Sequence, residues 1–205
     1  MLKDFFLSLS LKYTDDVILA ETLWMEIEKA YNGKKRFYHN LTHLQNMYNE
    51  LQACAHLITD WDTILFSLYY HDIVYKATSK ENEEKSALIA VDRLLLMQFP
   101  TQRINACSEQ VLATKHHNLN SNADTNLLID ADMAILGYNW GDYKEYYEAV
   151  RKEYAIYPDF LYNPGRAKVL RHFLSGNNMY STTFFKEKYE SKARNNIQKE
   201  LALLI

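Results

Sequence analysis

The chain has 205 residues, of which 48% are hydrophobic and 24% are charged, and these values are typical of a globular protein. The length suits a single domain that spans residues 1–205. A formal net charge of -3 argues against general nucleic-acid binding and against membrane-surface binding, because both need an extended basic field, although a local basic pocket is compatible with it.

Apolar residues recur with the helical period along nearly the whole chain, which predicts an all-α fold, a compact helical bundle. The first predicted helix starts near Asp15 and ends near Asn32 and Gly33. Asn40 is a good N-cap for the second helix, and Asp60 is a good N-cap for the third.

The rest of the chain predicts six more helices and no strand. They are a helix that has Asn82 as its candidate N-cap and stops at Pro100, the segment "TQRINACSEQVLATKHH", the segment "DTNLLIDADMAIL" closed by Gly137, Asp142–Tyr157, Arg166–Leu174, and a long helix from about Thr183 to the C-terminus.

The two cysteines, Cys54 and Cys107, are far apart, form no CxxC motif, and lie in apolar helical segments. We expect buried free thiols, which fit a reducing compartment. The N-terminal segment "MLKDFFLSLSLKYTDD" lacks a small-residue cleavage site, and no apolar run approaches the roughly 18 residues of a membrane span. We therefore expect a cytoplasmic protein.

Polar residues stand at core-facing positions in two predicted helices. His71 and Asp72 continue the stripe of Ile64, Leu65 and Leu68, where the helical period calls for apolar side chains. They could face solvent at a helix end or form a structural pair. A buried carboxylate, however, costs many kcal/mol unless a partner or a metal compensates it.

The segment "LLIDADMAILG" holds a second misplaced acid. Asp132 has Leu128 and Ile129 before it and Ile135 and Leu136 after it at helical spacing, so we expect it to be the buried carboxylate. Asp130 has a weaker apolar setting and is a possible outer partner of Asp132.

His43, His71, Asp72 and Asp132 would together supply two imidazoles and two carboxylates from separate helices. That set suits a divalent transition metal such as Fe, Mn, Co, Ni or Zn. The sequence therefore predicts a metal site inside a helical domain.

The order His43, His71-Asp72, Asp132 resembles the signature of the HD-domain metal-dependent phosphohydrolases, which is an isolated His, a His-Asp pair and a distant Asp on helices. "YHNLTH" resembles the YHNxxH motif of the cyclic-nucleotide phosphodiesterases, and "ADM" resembles the context of their last metal ligand. "NEEKSA", "IDADMAILG", "VRKEY" and "GRAKVL" extend the resemblance to a predicted HD phosphohydrolase family of roughly this length.

The resemblance implies that His43, His71, Asp72 and Asp132 are the ligands of a divalent metal ion, with Mg added to the candidate ions. It implies that His39 protonates the leaving group, and that metal-activated water attacks a small phosphorylated molecule, a nucleotide or a related phosphoester. After the His-Asp pair, "IVYKATSKENEEKSA" replaces the Pro-Gly-containing stretch of the phosphodiesterases, so a cyclic nucleotide is not the expected substrate.

Further candidates have both a functional and an ordinary interpretation. His117, or its neighbour His116, could be an additional ligand or a solvated histidine at a helix end. Glu83 could orient a catalytic water or stabilise the first turn of its helix. The candidate phosphate-binding cations, each also a plausible surface charge, are Lys76, Lys115, Arg151 and Arg166, the last in a predicted first helical turn that favours anions.

Two rival functions stay open on the sequence alone. A di-iron oxygenase of the same helical type needs five or six His and Asp ligands, so His116 or His117 would have to coordinate. A non-catalytic metal-containing binding module is also compatible with these residues. The complete ligand set and the intact His39 count against the non-catalytic module.

Overall fold

The computed structural model describes residues 1–204 and confirms the all-α prediction, with no strand in that range. The predicted domain boundary and C-terminal helix include Ile205, which lies outside the described residues. The helices are α1 (Leu2–Ser10), α2 (Val17–Tyr31), α3 (Leu41–Ala53), α4 (Trp61–Tyr70), α5 (Asn82–Leu96), α6 (Thr101–Ala113), α7 (Ala123–Asp132), α8 (Trp140–Glu153), α9 (Asp159–Ser175) and α10 (Thr183–Leu203), with short 3-10 helices at Ala55–Leu57 and Met133–Gly137.

Two of the predicted N-caps are confirmed. The Asn40 side chain accepts hydrogen bonds from the backbone N–H groups of Thr42 and His43, and the Asp60 carboxylate accepts one from Thr63. Asn82 is not a cap, because Glu81 occupies the N-cap position of α5. The Asn82 amide instead pairs with both the N–H and the carbonyl of Lys76, at 3.1 Å each.

Several predicted helix boundaries are wrong. Helix α1 was not predicted, and it packs on α2. Helix α8 ends at Glu153 rather than at Tyr157. Helix α9 begins at Asp159, so "NPG" lies inside it, and Arg166 is not in a first turn. Pro164 is the sixth residue of α9, where its missing N–H removes a single hydrogen bond without ending the helix.

Helix α4 is the centre of the bundle. All residues from Thr63 to Tyr70 are buried, and the helix packs against α3, α5, α6 and α7. A helix that is apolar on every side fits such an enclosed position. Its C-terminal end therefore delivers the next residues, His71 and Asp72, to the interior of the bundle.

Helix α10 closes the bundle against the 3-10 helix Met133–Gly137. Gly137 is required there by close packing, because a Cβ added at this position would lie 2.4 Å from the Cβ of Tyr189. Cys54 and Cys107 are buried free thiols, as predicted. Within residues 1–204 no helix is both long and apolar enough to cross a membrane.

Candidate metal centre

Three side chains from three helices converge at the C-terminal end of α4. His43 lies in the first turns of α3, His71 follows the last residue of α4, and Asp132 is the last residue of α7. The Nε2 atoms of His43 and His71 are 3.2 Å apart, and Oδ1 of Asp132 lies 3.2 Å from His43 Nε2 and 4.0 Å from His71 Nε2. We call these three residues the donor group.

Local structure orients each imidazole. The Asn40 cap fixes the start of α3 and so the position of His43. The Leu68 carbonyl accepts a hydrogen bond from Nδ1 of His71 at 2.9 Å, which leaves Nε2 of His71 facing Nε2 of His43. A metal-ligating histidine commonly donates its other ring N–H in this way.

The donor group fits a divalent metal ion. Two imidazole nitrogens and a carboxylate oxygen are ligands suited to transition metals. Ligands held about 2.1 Å from a tetrahedral or octahedral ion lie roughly 3.0–3.4 Å from one another, which matches the two shorter separations. The three ligand atoms all lie within 4.8 Å of one another, so the group could hold a metal ion and leave coordination positions open.

Asp72 adjoins the donor group on the side of His71. Its Oδ2 lies 3.3 Å from His71 Nε2 and 4.0 Å from His39 Nε2. Arg36 holds this segment in place, since its guanidinium donates to the carbonyls of Asp72 and Ile73, at 2.7 and 2.9 Å, and to that of His39. Arg36 therefore ties the two histidine segments together.

His39 lies just outside α3 and is oriented by a buried carboxylate. Its Nδ1 donates to Oε2 of Glu153 at 2.6 Å, and the same carboxylate accepts the backbone N–H groups of Tyr38 and His39. The Tyr75 hydroxyl also donates to Glu153, and its ring stacks on the His39 ring at 4.1 Å. These contacts leave Nε2 of His39 directed at Asp72.

The pKa values of the three histidines shift in different directions, because the histidines lie near different charges. Burial disfavours the charged form of His39, but the Glu153 hydrogen bond and the charge of Asp72 outweigh it and raise the pKa of His39 above its ordinary value. For His71, burial is outweighed by Asp72, and its pKa rises to about 9. For His43, burial dominates and lowers the pKa.

His117 lies beside Asp132. Its Nε2 is 3.3 Å from Oδ2 of Asp132, while His43 contacts the other carboxylate oxygen, Oδ1. The backbone of His117 is left-handed, with φ of 52°, which is uncommon for a non-glycine residue. His116 is exposed and lines a neighbouring cavity of about 350 Å³.

Asp130 and Asp132, near the C-terminal end of α7, exchange the environments predicted for them. Asp130 is fully buried, and its carboxylate accepts hydrogen bonds from Ser181 and Thr182 at the start of α10, so it is not an outer partner of Asp132. The Asp132 side chain keeps 17% exposure. The α-helical period stops at Asp132, where the 3-10 helix begins, so the α-helical spacing of Ile135 and Leu136 no longer indicates which side Asp132 occupies.

The remaining predicted residues lie apart from the donor group. Lys115 pairs with Glu84 and lies 4.0 Å from Glu83. Arg151 binds Asp159. Arg166 forms a buried ion pair with Glu200, and Lys76 is exposed in a separate cavity. No contact joins any of these predicted residues to the donor group in the described part of the chain.

Sequence reasoning missed Arg36 and Glu153. Glu153 carried a usable signal, because it follows Val150 at helical spacing on the buried side of α8, the same kind of misplaced acid as Asp72. Arg36 carried no such signal, because its role depends on carbonyl groups that only the fold brings to it.

A cavity of about 510 Å³ borders His43. The aromatic rings of Tyr38, Tyr138 and Tyr146 line it, and the carboxylates of Asp142 and Glu145 add negative charge. Its volume lies in the range of small-molecule sites.

No family model, no curated protein and no solved structure matched this chain.

Proposed function

We propose that the protein is a metal-dependent phosphohydrolase of the HD-domain type that acts on a small phosphorylated molecule, a nucleotide or a related phosphoester. One observation carries the proposal: the donor group lies beside an imidazole, His39, that a buried carboxylate holds with Nε2 directed towards the site. The order of the motifs along the chain supports the HD type. The cavity beside His43 is of a suitable size for the organic part of the substrate.

His43, His71 and Asp132 would hold a divalent ion, with Mn, Fe, Co, Ni, Zn and Mg as candidates. When bound, such an ion polarises a phosphoryl oxygen and lowers the pKa of water. Neighbouring His71 and His39 lower the pKa of Asp72 against the opposing effect of burial, so this carboxylate is ionised and able to accept a hydrogen bond from water. Asp72 would thereby orient the attacking water.

His39 would protonate the leaving group. Its Nδ1 proton is engaged by Glu153, so the proton to be transferred is the one on Nε2. The raised pKa of His39 keeps that nitrogen protonated over more of the neutral range, which suits a general acid. Glu153 and the stacked Tyr75 are the groups that position the ring.

A di-iron oxygenase is the second candidate, and the position of His117 favours it. The contact of His117 Nε2 with the second oxygen of Asp132 supplies the additional nitrogen that a two-metal site needs. Reconstitution with iron followed by a spectroscopic search for a coupled pair separates the two functions.

The experiment combines elemental analysis of the purified protein with a phosphate-ester panel assayed with Mn, Mg, Co, Ni, Zn and Fe. We expect His71→Ala to lose the metal. We expect His39→Ala to keep it and to lose turnover by about 10²- to 10⁴-fold, the usual contribution of a general acid.

The control is His56→Ala, which removes an exposed imidazole in the 3-10 helix Ala55–Leu57 and should change neither metal content nor turnover. Stoichiometric metal in His71→Ala would show that the ligand assignment is wrong. A metal-loaded wild-type protein that is inactive on the whole panel would favour the binding module instead.

A further inference from the structure

A second cavity, of about 520 Å³, lies between the α2–α3 connection, the segment after α4 and the C-terminal end of α8. It differs from the cavity beside His43 in its charge. Five cationic side chains line it, and they come from three separate segments of the chain: Lys34, Lys35, Arg36, Lys76 and Lys152. We call it the basic cavity.

The charges of the basic cavity are not neutralised by neighbouring acids. Lysines elsewhere, such as Lys12 and Lys188, have a carboxylate oxygen at 2.7 Å. Among residues 1–204, none of the five cations of the basic cavity has one within 4.0 Å. A chain with a net charge of -3 therefore gathers uncompensated positive charge at one concave place.

One acid, Glu153, lines the basic cavity, but its carboxylate binds groups other than the five cations. Its side chain is fully buried, and its oxygens accept hydrogen bonds from the backbone of Tyr38 and His39, from Nδ1 of His39 and from the hydroxyl of Tyr75. Its lone pairs face these donors, so it leaves the cations of the cavity available to a ligand.

Arg36 gives the basic cavity a fixed cation. Its guanidinium is held by three backbone carbonyls and lies over the ring of Tyr31, with a distance of 4.8 Å to the ring centroid. Carbonyl groups and an aromatic face orient the guanidinium without cancelling its charge. The four lysines, which are exposed and have flexible side chains, line the same cavity.

We propose that the basic cavity binds a small molecule that carries two or more phosphate groups. Several cations around one concavity match several phosphate groups better than a single monoanion. The volume suits a small molecule, and the side chains of Phe37 and Ile156 offer apolar contact to an organic part. A nucleic-acid duplex or a membrane needs a more extended basic surface than this cavity provides.

This binding goes beyond the proposed function and does not depend on it. None of the residues of the donor group lines the basic cavity. The cavity meets the candidate active site through Glu153 and Tyr75, which contact the side chain of His39, and through Arg36, which binds backbone carbonyls of the two histidine segments. Binding should therefore persist when the metal is removed.

Isothermal titration calorimetry of the full chain in EDTA tests the proposal, with orthophosphate, pyrophosphate and tripolyphosphate as probes. We expect affinity to increase along that series and to fall with added salt, because the contacts are ionic. The double variant Lys34→Gln, Lys35→Gln should bind tripolyphosphate at least about tenfold more weakly. His71→Ala should bind it as the wild type does.

The matched control is Lys168→Gln, Lys192→Gln, which removes the same charge from two exposed lysines outside the cavity and should bind as the wild type does. Circular dichroism checks that each variant is folded. Absence of binding, or equal weakening in both double variants, overturns the proposal. Binding that is lost in His71→Ala and kept in the Lys34, Lys35 variant would place the anion at the donor group and also overturns it. An inactive protein that still binds tripolyphosphate contradicts only the proposed hydrolase function.

Discussion

Two polar clusters in the interior of this protein compensate their buried charge in different ways. In the first, Glu200 accepts hydrogen bonds from Nε and Nη2 of Arg166, at 2.7 and 3.0 Å, and from the hydroxyl of Tyr143. In the second, the donor group directs two imidazole nitrogens and a carboxylate oxygen at one point. The first cluster contains its own cation, whereas the second brings together atoms that bind one.

The difference teaches how a structural polar cluster is distinguished from a site. Buried charge must be compensated, and in the Glu200 cluster the chain itself supplies every donor. In the donor group, the lone pairs of the two imidazoles and of the Asp132 carboxylate face one another. Their repulsion is relieved only when protons or a metal ion bind between them. Convergence of acceptors is therefore the more informative feature than burial of a charge.

The largest expected effect comes from a substitution in the Glu200 cluster. Arg166→Ala leaves the buried carboxylate of Glu200 without its cation, and we expect a loss of about 3–5 kcal/mol in the free energy of unfolding, measured with urea. Metal content per folded molecule should not change. Arg171→Ala, which truncates an exposed arginine on the same helix, should stay within about 0.5 kcal/mol of the wild type. A small effect of Arg166→Ala would show that the two clusters do not differ in this way.

The next effect concerns the donor group. Asp132→Asn removes a ligand charge but keeps the shape of the side chain, so we expect metal affinity to fall at least about a hundredfold, equivalent to about 2.7 kcal/mol. Competition with a chromophoric chelator measures it. The exposed Asp92→Asn variant is the control. Unchanged affinity in Asp132→Asn would remove this residue from the ligand set.

The smallest expected effect tests whether His117 is itself a metal ligand. His117 contacts the oxygen of Asp132 that is remote from His43, so it acts on a metal through that carboxylate. We expect His117→Ala to weaken metal binding about tenfold, the range of residues that orient ligands. A loss as large as that of Asp132→Asn, or a halved iron content, would make His117 a ligand and favour the two-metal site.

The sequence predicted much of this protein from local chemistry. The helical period specified the all-α class, and Asn40 and Asp60 marked helix starts because their side chains satisfy free N–H groups whatever the fold. Of the four ligands that the sequence predicts, His43, His71 and Asp132 form the donor group, and Asp72 adjoins it. The HD assignment, the substrate class and the catalytic role of His39 stay predictions.

The tertiary structure decided what the helical period could not. Periodicity tells which side of a helix a residue occupies but not what lies opposite, so it ranked Asp132 above Asp130 in burial when the reverse holds. The roles of Arg36 and Glu153 depend on groups that lie 36 and 114 residues away along the chain. Such contacts arise from packing of distant segments, which is why only the fold brings His39 its carboxylate.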